Sequence, residues 1–486
     1  MKATLLATCL ATLPLFPAPA ANVTLDVNGS TEGFGSYLDY NEETPPDVWW
    51  DTTSSLWTAS VNGSTATTTW AAAGGGASTI TAFQVETSSQ TLIGVGGNFT
   101  VGGLLLNTTV NSGYGYQLRN YDETNKIAKT ITLASGATIT VTNGTGGSGV
   151  PALIINNSNG GILLSGDFEK LGTGGLRMQT AYSGTITLTE GSIALENRDI
   201  ANASTHFIIG PGGQLNWVGS AATAVIGNLS GSGSVERGSG SANLGVTITQ
   251  TTDQTFSGRI GQETEKETGY HNIIKAGNAA LTLSGSNTYR GTTTVSAGTL
   301  VAAHNNALSA NSGGVTVNNT AGATLRINGG ITLNAASNVT LGGTNATIDV
   351  GTLNNTGTAG LLGSLTATSG GTFQFDLNGT SAVDLLTIGG TTTLSGAFTF
   401  NLTDLGGTSF LAGEDYLILD TLGGYDFTGA TFALGLTPTG WIGGSITEEN
   451  GDLYVSFAAV PEPSSFLLMG AGALGLAFWR RRRSFR

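Results

Sequence analysis

The segment from Ile274 to Leu300 constrains the fold more than any other part of the chain. Its apolar residues alternate in Leu281 and Leu283 and again over Thr293 and Val295 before Leu300, with Gly277, Gly285, Gly291 and Gly298 between the runs. A period of two with glycine punctuation describes short, half-buried strands joined by tight turns. Strands this short bury their apolar face only when another run stacks on them, at roughly 4.8 Å spacing. A weaker copy lies upstream: Lys170, Leu171, Gly172, Gly174, Leu176, then Tyr182, Gly184, Ile186, Leu188, Gly191 and Ile193. Both copies run in the order Lys, Gly, Leu, Tyr-x-Gly, strand, Gly-x-apolar. The upstream copy departs at Arg177-Met178-Gln179, where a second apolar strand position is expected, which leaves its register open. Partial copies follow at Leu325 to Leu333 and at Gly389 to Gly396.

Such a body is predicted to be a solenoid of about 22 residues per coil, on the order of 20 coils, with Gly and Asn at corners where φ is positive. The composition agrees. Gly is 75 of 486 residues, Pro only 10, and charged residues 10%. Lys, Glu and Arg are too scarce for long helices, and no Pro-rich or charged linker divides the chain. A series of β-sandwiches is the rival architecture. Terminal coils need caps against exposed strand edges. Trp49, Trp50, Trp57 and Trp70 mark a candidate cap within 21–120, the repeat solenoid spans 121–372, and 373–458 is a candidate C-terminal β cap.

The repeat resembles the autotransporter-associated β-strand repeat of bacterial passenger domains. Lys275, Gly277, Leu281, Leu283, Gly285, Asn287, Tyr289, Gly291, Val295, Gly298 and Leu300 carry the likeness. The tryptophan-rich opening, followed by Ala82-Phe83, is similar to the start of such passengers. The resemblance implies an all-β fold, a right-handed parallel β-helix. The translocator barrel of a classical autotransporter has no counterpart in the C-terminal sequence, where a short apolar tail takes its place.

Both ends read as targeting segments. Lys2, the apolar Leu5 to Phe16 and the small residues Ala18 and Ala20 make a signal peptide over 1–20. Cys9, the only cysteine, leaves with it, so the mature chain has no disulfide, thiol nucleophile or thiolate ligand. Residues 460–486 hold Pro461-Glu462-Pro463, an uncharged run from Phe466 to Trp479, and Arg480, Arg481, Arg482 and Arg483. A bilayer needs roughly 20 helical residues, so this run is a marginal single membrane helix with its arginines on the cytoplasmic side. The three parts in this order resemble the PEP-CTERM sorting signal. That resemblance implies export, transient anchoring in the bacterial membrane through the C-terminal helix, and processing by an exosortase at the cell surface. It also implies a bacterium that makes exopolysaccharide, which is then a candidate partner.

Charge and chemistry narrow the function. The formal net charge is −14, and six of the 18 basic residues lie in the two terminal segments, so the body is more acidic still. Nucleic-acid binding is disfavoured, because no basic patch is present to neutralise phosphates. His206, His271 and His304 are scattered without metal-ligand spacing and read as turn or surface residues. Gly74-Gly75-Gly76 and Gly146-Gly147-Ser148-Gly149 lack the sequel of a phosphate loop and read as turns. Asp39, Glu42, Glu43 and Asp47 read as a solvated loop, and Glu263, Glu265 and Glu267 as a solvent-facing insertion. No metal or other cofactor is expected. The leading expectation is an exported structural or adhesive protein without enzymatic activity. The alternative is a polysaccharide-active lyase or hydrolase, with Asp167, Glu169 and Lys170 or Asp253 and Arg259 as conceivable clusters.

Overall fold

A computed structural model describes residues 21–459 with intervals left out. The description is continuous over 160–196, 201–217, 223–237, 244–261, 271–309, 313–334, 338–378, 382–405, 414–438 and 441–459, and is limited to shorter pieces before 160. Signal-peptide residues Ala18 and Ala20, the acidic runs 39–47 and 263–267, and the tail with Pro461 to Pro463 and Arg480 to Arg483 lie outside the described residues. Among the described residues there is no α-helix, and no helix long and apolar enough to cross a membrane. The chain divides into two compact units, residues 1–220 with 236–240, and residues 221–235 with 241–486.

The first unit is a stack of parallel ladders. One runs through Ile80, Gly103, Thr138, Glu169, Thr187 and Ile208, and another through Ile93, Leu118, Ile155, Met178, Leu195 and Trp217. Alternation places Ile139, Lys170, Leu188 and Ile209 inside, and Thr138, Glu169 and Thr187 outside. Leu176 and Met178 are both buried, so Met178 supplies the second apolar position of the upstream repeat. At the start of the unit Trp50 is fully buried and stacks on Phe99, with ring centroids 4.6 Å apart.

The second unit coils through parallel sheets. Nine strands form one of them: Thr223–Ile226, Leu244–Thr249, His271–Ala276, Thr293–Val295, Val315–Val317, Val339–Leu341, Leu365–Ala367, Thr392–Leu394 and Tyr425–Asp426. A second ladder runs beside it from Leu229–Gly231 through Leu281–Leu283, Thr299–Ala302 and Thr324–Ile327 to Gly396–Asp404 and Ala430–Leu434. From Thr332–Leu333 onward a third side appears, through Thr358–Leu361, Leu385–Ile388 and Asp415–Thr421. It closes on an antiparallel hairpin, Trp441–Glu449 with Asp452–Ala459. One coil is 20 residues from Ile273 to Thr293, 22 from Thr293 to Val315, 27 from Leu365 to Thr392 and 33 from Thr392 to Tyr425. The expected 22 is thus met in the repeat itself, and the third side lengthens the later coils.

The core is the inward half of each strand. Phe373, Phe375, Phe398 and Phe400 are buried on two successive coils, and Phe373 stacks on Phe400 at 5.1 Å. Each such side chain stabilises by about 1.5–3 kcal/mol through burial. Coils are also tied at their corners by side-chain carbonyls. Asn228, Asn272, Asn305, Asn319, Asn338 and Asn401 each accept a backbone N–H of the following coil, from Thr251, Thr292, Thr332, Asn345, Ser364 and Leu436, at 2.8–3.0 Å. These amides satisfy corner donors that the ladders leave free.

Candidate binding face

The repeat signature builds an internal latch rather than an exposed site. Lys275 is fully buried, and its Nζ donates to the carbonyls of Ala276 at 3.0 Å, Gly277 at 2.9 Å and Ala297 at 2.9 Å. Lys170 repeats this with the carbonyls of Leu171, Gly172 and Glu190 at 2.9, 2.8 and 3.3 Å. Burial pushes both ammonium groups down to about 8, with Asp253 pulling Lys275 and Glu190 pulling Lys170 the other way. Gly277 and Gly298 turn with φ of 74° and 61°. Gly285 and Gly291 are needed for another reason: a Cβ there would lie 2.0 Å from the carbonyl oxygens of Gly258 and His271 on the preceding coil. Asn287 accepts the N–H of Ile260 and donates to the carbonyl of Ala307, joining three coils. Tyr289 is buried, with its hydroxyl 2.6 Å from Thr293 Oγ1, and burial raises its ionisation well above the usual phenol range. Leu281, Leu283, Val295 and Leu300 fill the interior between these groups.

The carboxylates of the conceivable catalytic clusters are engaged in bonds between coils. Lys170 points inward to its carbonyls, while Asp167 accepts the N–H of Thr185 at 2.7 Å and Glu169 the hydroxyl of Thr189 at 2.5 Å. Asp253 accepts the N–H of Ala280 at 2.7 Å. The histidines differ from expectation in one case. His271 opens the strand His271–Ala276 on its inward face and is 4% exposed, since the register that buries Ile273 and Lys275 buries it too. His304 sits in a turn as expected and accepts the N–H of Asn306. Among the described residues no group of three His, Cys, Asp or Glu side chains could hold a metal ion.

Two arrangements invisible to a linear reading appear once the register is known. One is a carboxylate cluster in the later coils. Arg326 Nε donates to Asp349 at 2.8 Å, and Asp376 and Asp384 lie beside them, buried. Their oxygens are occupied by Arg326 and by backbone N–H groups, so the cluster works inside the fold.

The other is the outer face of the nine-stranded sheet. Its central outward positions pair in succession as Thr294, Thr316, Thr340, Thr366 and Thr393. Ile274 precedes this column and Asp426 ends it. Five threonines on adjacent strands repeat at about 4.8 Å. Thr340 is exposed and the other four are half-exposed. The outward positions beside the column are Thr292, Gly314, Asn338, Ser364 and Thr391 on one side and Ser296, Asn318, Gly342, Thr368 and Ser395 on the other, so no charged side chain interrupts the face. Threonine is β-branched and stiff at χ1, so its hydroxyl and methyl are held in a repeating pattern with little entropy left to lose. Such a face can exchange hydrogen bonds with an extended polyol. From Thr294 to Thr393 its outward positions carry hydroxyls and amides and no titratable side chain.

Comparisons with known proteins place two recognisable segments on this chain. Residues 273–302 match the passenger-associated-transport-repeat family, and residues 459–483 match the PEP-CTERM protein-sorting motif. The two matches mark an exported, surface-associated protein carrying a passenger-type repeat. No curated protein matches the chain. Among solved structures, the crystal structure of the Haemophilus influenzae Hap adhesin is similar at 13% identity with a TM-score of 0.28, over 78% of this chain and 56% of that one. The chain therefore spans little more than half the length of that adhesin.

Proposed function

We propose that this chain is a structural and adhesive component of the cell surface or extracellular matrix, which binds extended, neutral polysaccharide through the threonine face of its second unit. The carrying observation is the uninterrupted column Thr294, Thr316, Thr340, Thr366 and Thr393 on an otherwise acidic protein. A face without charge suits a neutral ligand. Its repeat of about 4.8 Å is close to the length of an extended sugar residue, so successive hydroxyls meet successive residues of one chain. Each contact is weak, and affinity comes from their number. The host's own exopolysaccharide is the proposed ligand.

The sorting tail supports a route to the surface. In this reading residues 460–486 hold the exported chain in the bacterial membrane through a short helix, and an exosortase then processes it near Pro461-Glu462-Pro463. The body has no enzymatic role, and the buried carboxylates of the second unit serve its stability.

Purified residues 21–459 on immobilised exopolysaccharide test the reading. The protein is expected to be retained without releasing reducing ends or unsaturated sugars. The triple variant Thr316→Val, Thr340→Val and Thr366→Val keeps the strand shape and removes the hydroxyls, so retention should fall at least tenfold with unchanged thermal stability. Turnover of any glycan would overturn the non-enzymatic assignment, and undiminished retention of the variant would overturn the threonine face.

A further inference from the structure

The turn from the third side of the second unit into the nine-stranded sheet repeats without insertion on three successive coils, as 362–364, 389–391 and 422–424. Leu362, Gly389 and Leu422 donate their N–H groups to the carbonyls of Leu333, Leu361 and Ile388, so the three stand in one column. Gly363, Gly390 and Gly423 form the next column, and Ser364, Thr391 and Gly424 the one after it. Two residues further on, Thr366 and Thr393 belong to the threonine column and Asp426 to its end. The middle column is all glycine for a reason inside the stack. A Cβ at Gly390 would lie 2.6 Å from the carbonyl carbon of Gly363, and one at Gly423 2.2 Å from the carbonyl oxygen of Gly389. Close approach of the coils thus leaves a strip without side chains along this corner.

The two borders of the strip differ in chemistry. Leu362 is 54% and Leu422 72% exposed on one border, while Ser364 and Thr391 stand on the other, towards the threonine face. Leu362 and Leu422 lie two coils apart, about 9.6 Å, and Gly389 leaves a gap between them. A pyranose ring whose hydroxyls are equatorial has apolar C–H faces and a polar rim, so it meets both borders at once. In a flat, β-linked chain of such rings each residue is turned half a revolution from the last. Its bulky hydroxymethyl groups therefore point to one edge at every second residue. Leucine, gap, leucine has that same period of two.

We propose that the glycine strip seats one flat, β-linked, neutral glycan chain, with Leu362 and Leu422 against ring C–H groups and a hydroxymethyl group in the gap over Gly389. The proposal rests on the reading that the adjoining threonine face binds neutral polysaccharide, and it narrows the ligand class. An α-linked glucan coils and cannot lie flat over three coils of the strip. Uronate polymers are turned away at the last coil, where Asp420 and Asp426 stand two residues to either side of the turn 422–424. Flat chain, apolar border and hydroxyl border together supply the orientation that a threonine column alone does not impose.

Retention of the full chain, in mild detergent, on insoluble cellulose and on insoluble starch tests this, because the two carry the same sugar in β and α linkage. Retention on cellulose is expected to exceed that on starch at least tenfold. Leu362→Ser combined with Leu422→Ser changes two exposed positions and should lower cellulose retention at least fivefold. Gly389→Leu has ordinary room, with the nearest atom 3.4 Å from its Cβ, and fills the gap, so it should lower retention too. Mere apolar stickiness would raise it instead. Equal retention on the two glucans, or a rise with Gly389→Leu, would overturn the proposal. So would a dimer in sedimentation that the double leucine variant dissociates, since a second copy would then cover the strip. The threonine reading is judged apart, on the host's exopolysaccharide: retention lost with the threonine variants but kept with the leucine pair would remove the strip and leave that face standing.

Discussion

At the scale of single residues, the buried lysines of the two repeats are the least expected feature, since lysine is almost never fully buried without a partner. Their partners are three carbonyl oxygens each, around Lys170 and Lys275. A neutral amine has two donors, so a cage of three acceptors is complete only with the ammonium form. That form joins a corner to the next coil, from Gly277 to Ala297, in a place where no backbone donor reaches. Lys275→Met keeps the bulk of the stem and strands the part-buried carbonyls of Gly277 and Ala297, while that of Ala276 keeps the N–H of Gln250, so urea unfolding should show a loss of about 3 kcal/mol. Tyr289→Phe removes only the bond to Thr293 Oγ1, and its expected cost is about 1 kcal/mol. A loss from Lys275→Met no larger than that from Tyr289→Phe would mean that the cage is packing alone.

At the scale of strands and turns, the readable parts are those set by neighbours in sequence. The inward positions Leu281, Leu283, Val295 and Leu300 follow from alternation, and the corners at Gly277 and Gly298 from the need for positive φ. Gly285 and Gly291 were also visible as turns, but their cause is the adjacent coil, 2.0 Å from a would-be Cβ. What is set across coils was not readable. The third side after Thr332 depends on coil lengths that grow from 20 to 33 residues, so no fixed period predicts it. The threonine column exists only because Thr294, Thr316, Thr340, Thr366 and Thr393 share a register, and each alone is an ordinary strand residue. His271 was misread although its side follows the same alternation as Ile273 and Lys275, because nothing in the sequence marks where that strand begins. The corner amides offer a test of how far register rests on such ties. Asn338 accepts the N–H of Ser364 at 2.8 Å, and Asn338→Ala is expected to cost about 1 kcal/mol. Its local signature should be faster hydrogen exchange at Ser364, with the amide of Asn345, held by Asn319, unchanged.

At the scale of the whole molecule, the distribution of charge separates the body from its ends. No basic residue lies between Arg326 and Arg480, and then four arginines follow in a row. Retained, that cluster would bring arginine guanidinium groups to a body with a formal excess of acid, and would resist passage across a membrane by the positive-inside tendency. In the proposed reading, where the tail spans the membrane with its arginines on the cytoplasmic side, the protein either stays anchored or loses its tail. The matched sorting motif over 459–483 favours loss. Mass spectrometry of the mature protein from its native host is expected to show an N-terminus near Ala21 and a C-terminus near Pro461 to Pro463, without Arg480 to Arg483. Replacing Pro461, Glu462 and Pro463 together by alanine should leave the full tail in place and the protein in the membrane fraction. An intact tail on the wild-type protein would make residues 460–486 a permanent anchor, and exosortase processing would have to be given up. The proposed threonine face would survive that result, because it depends on the register of the second unit and not on how the chain is held.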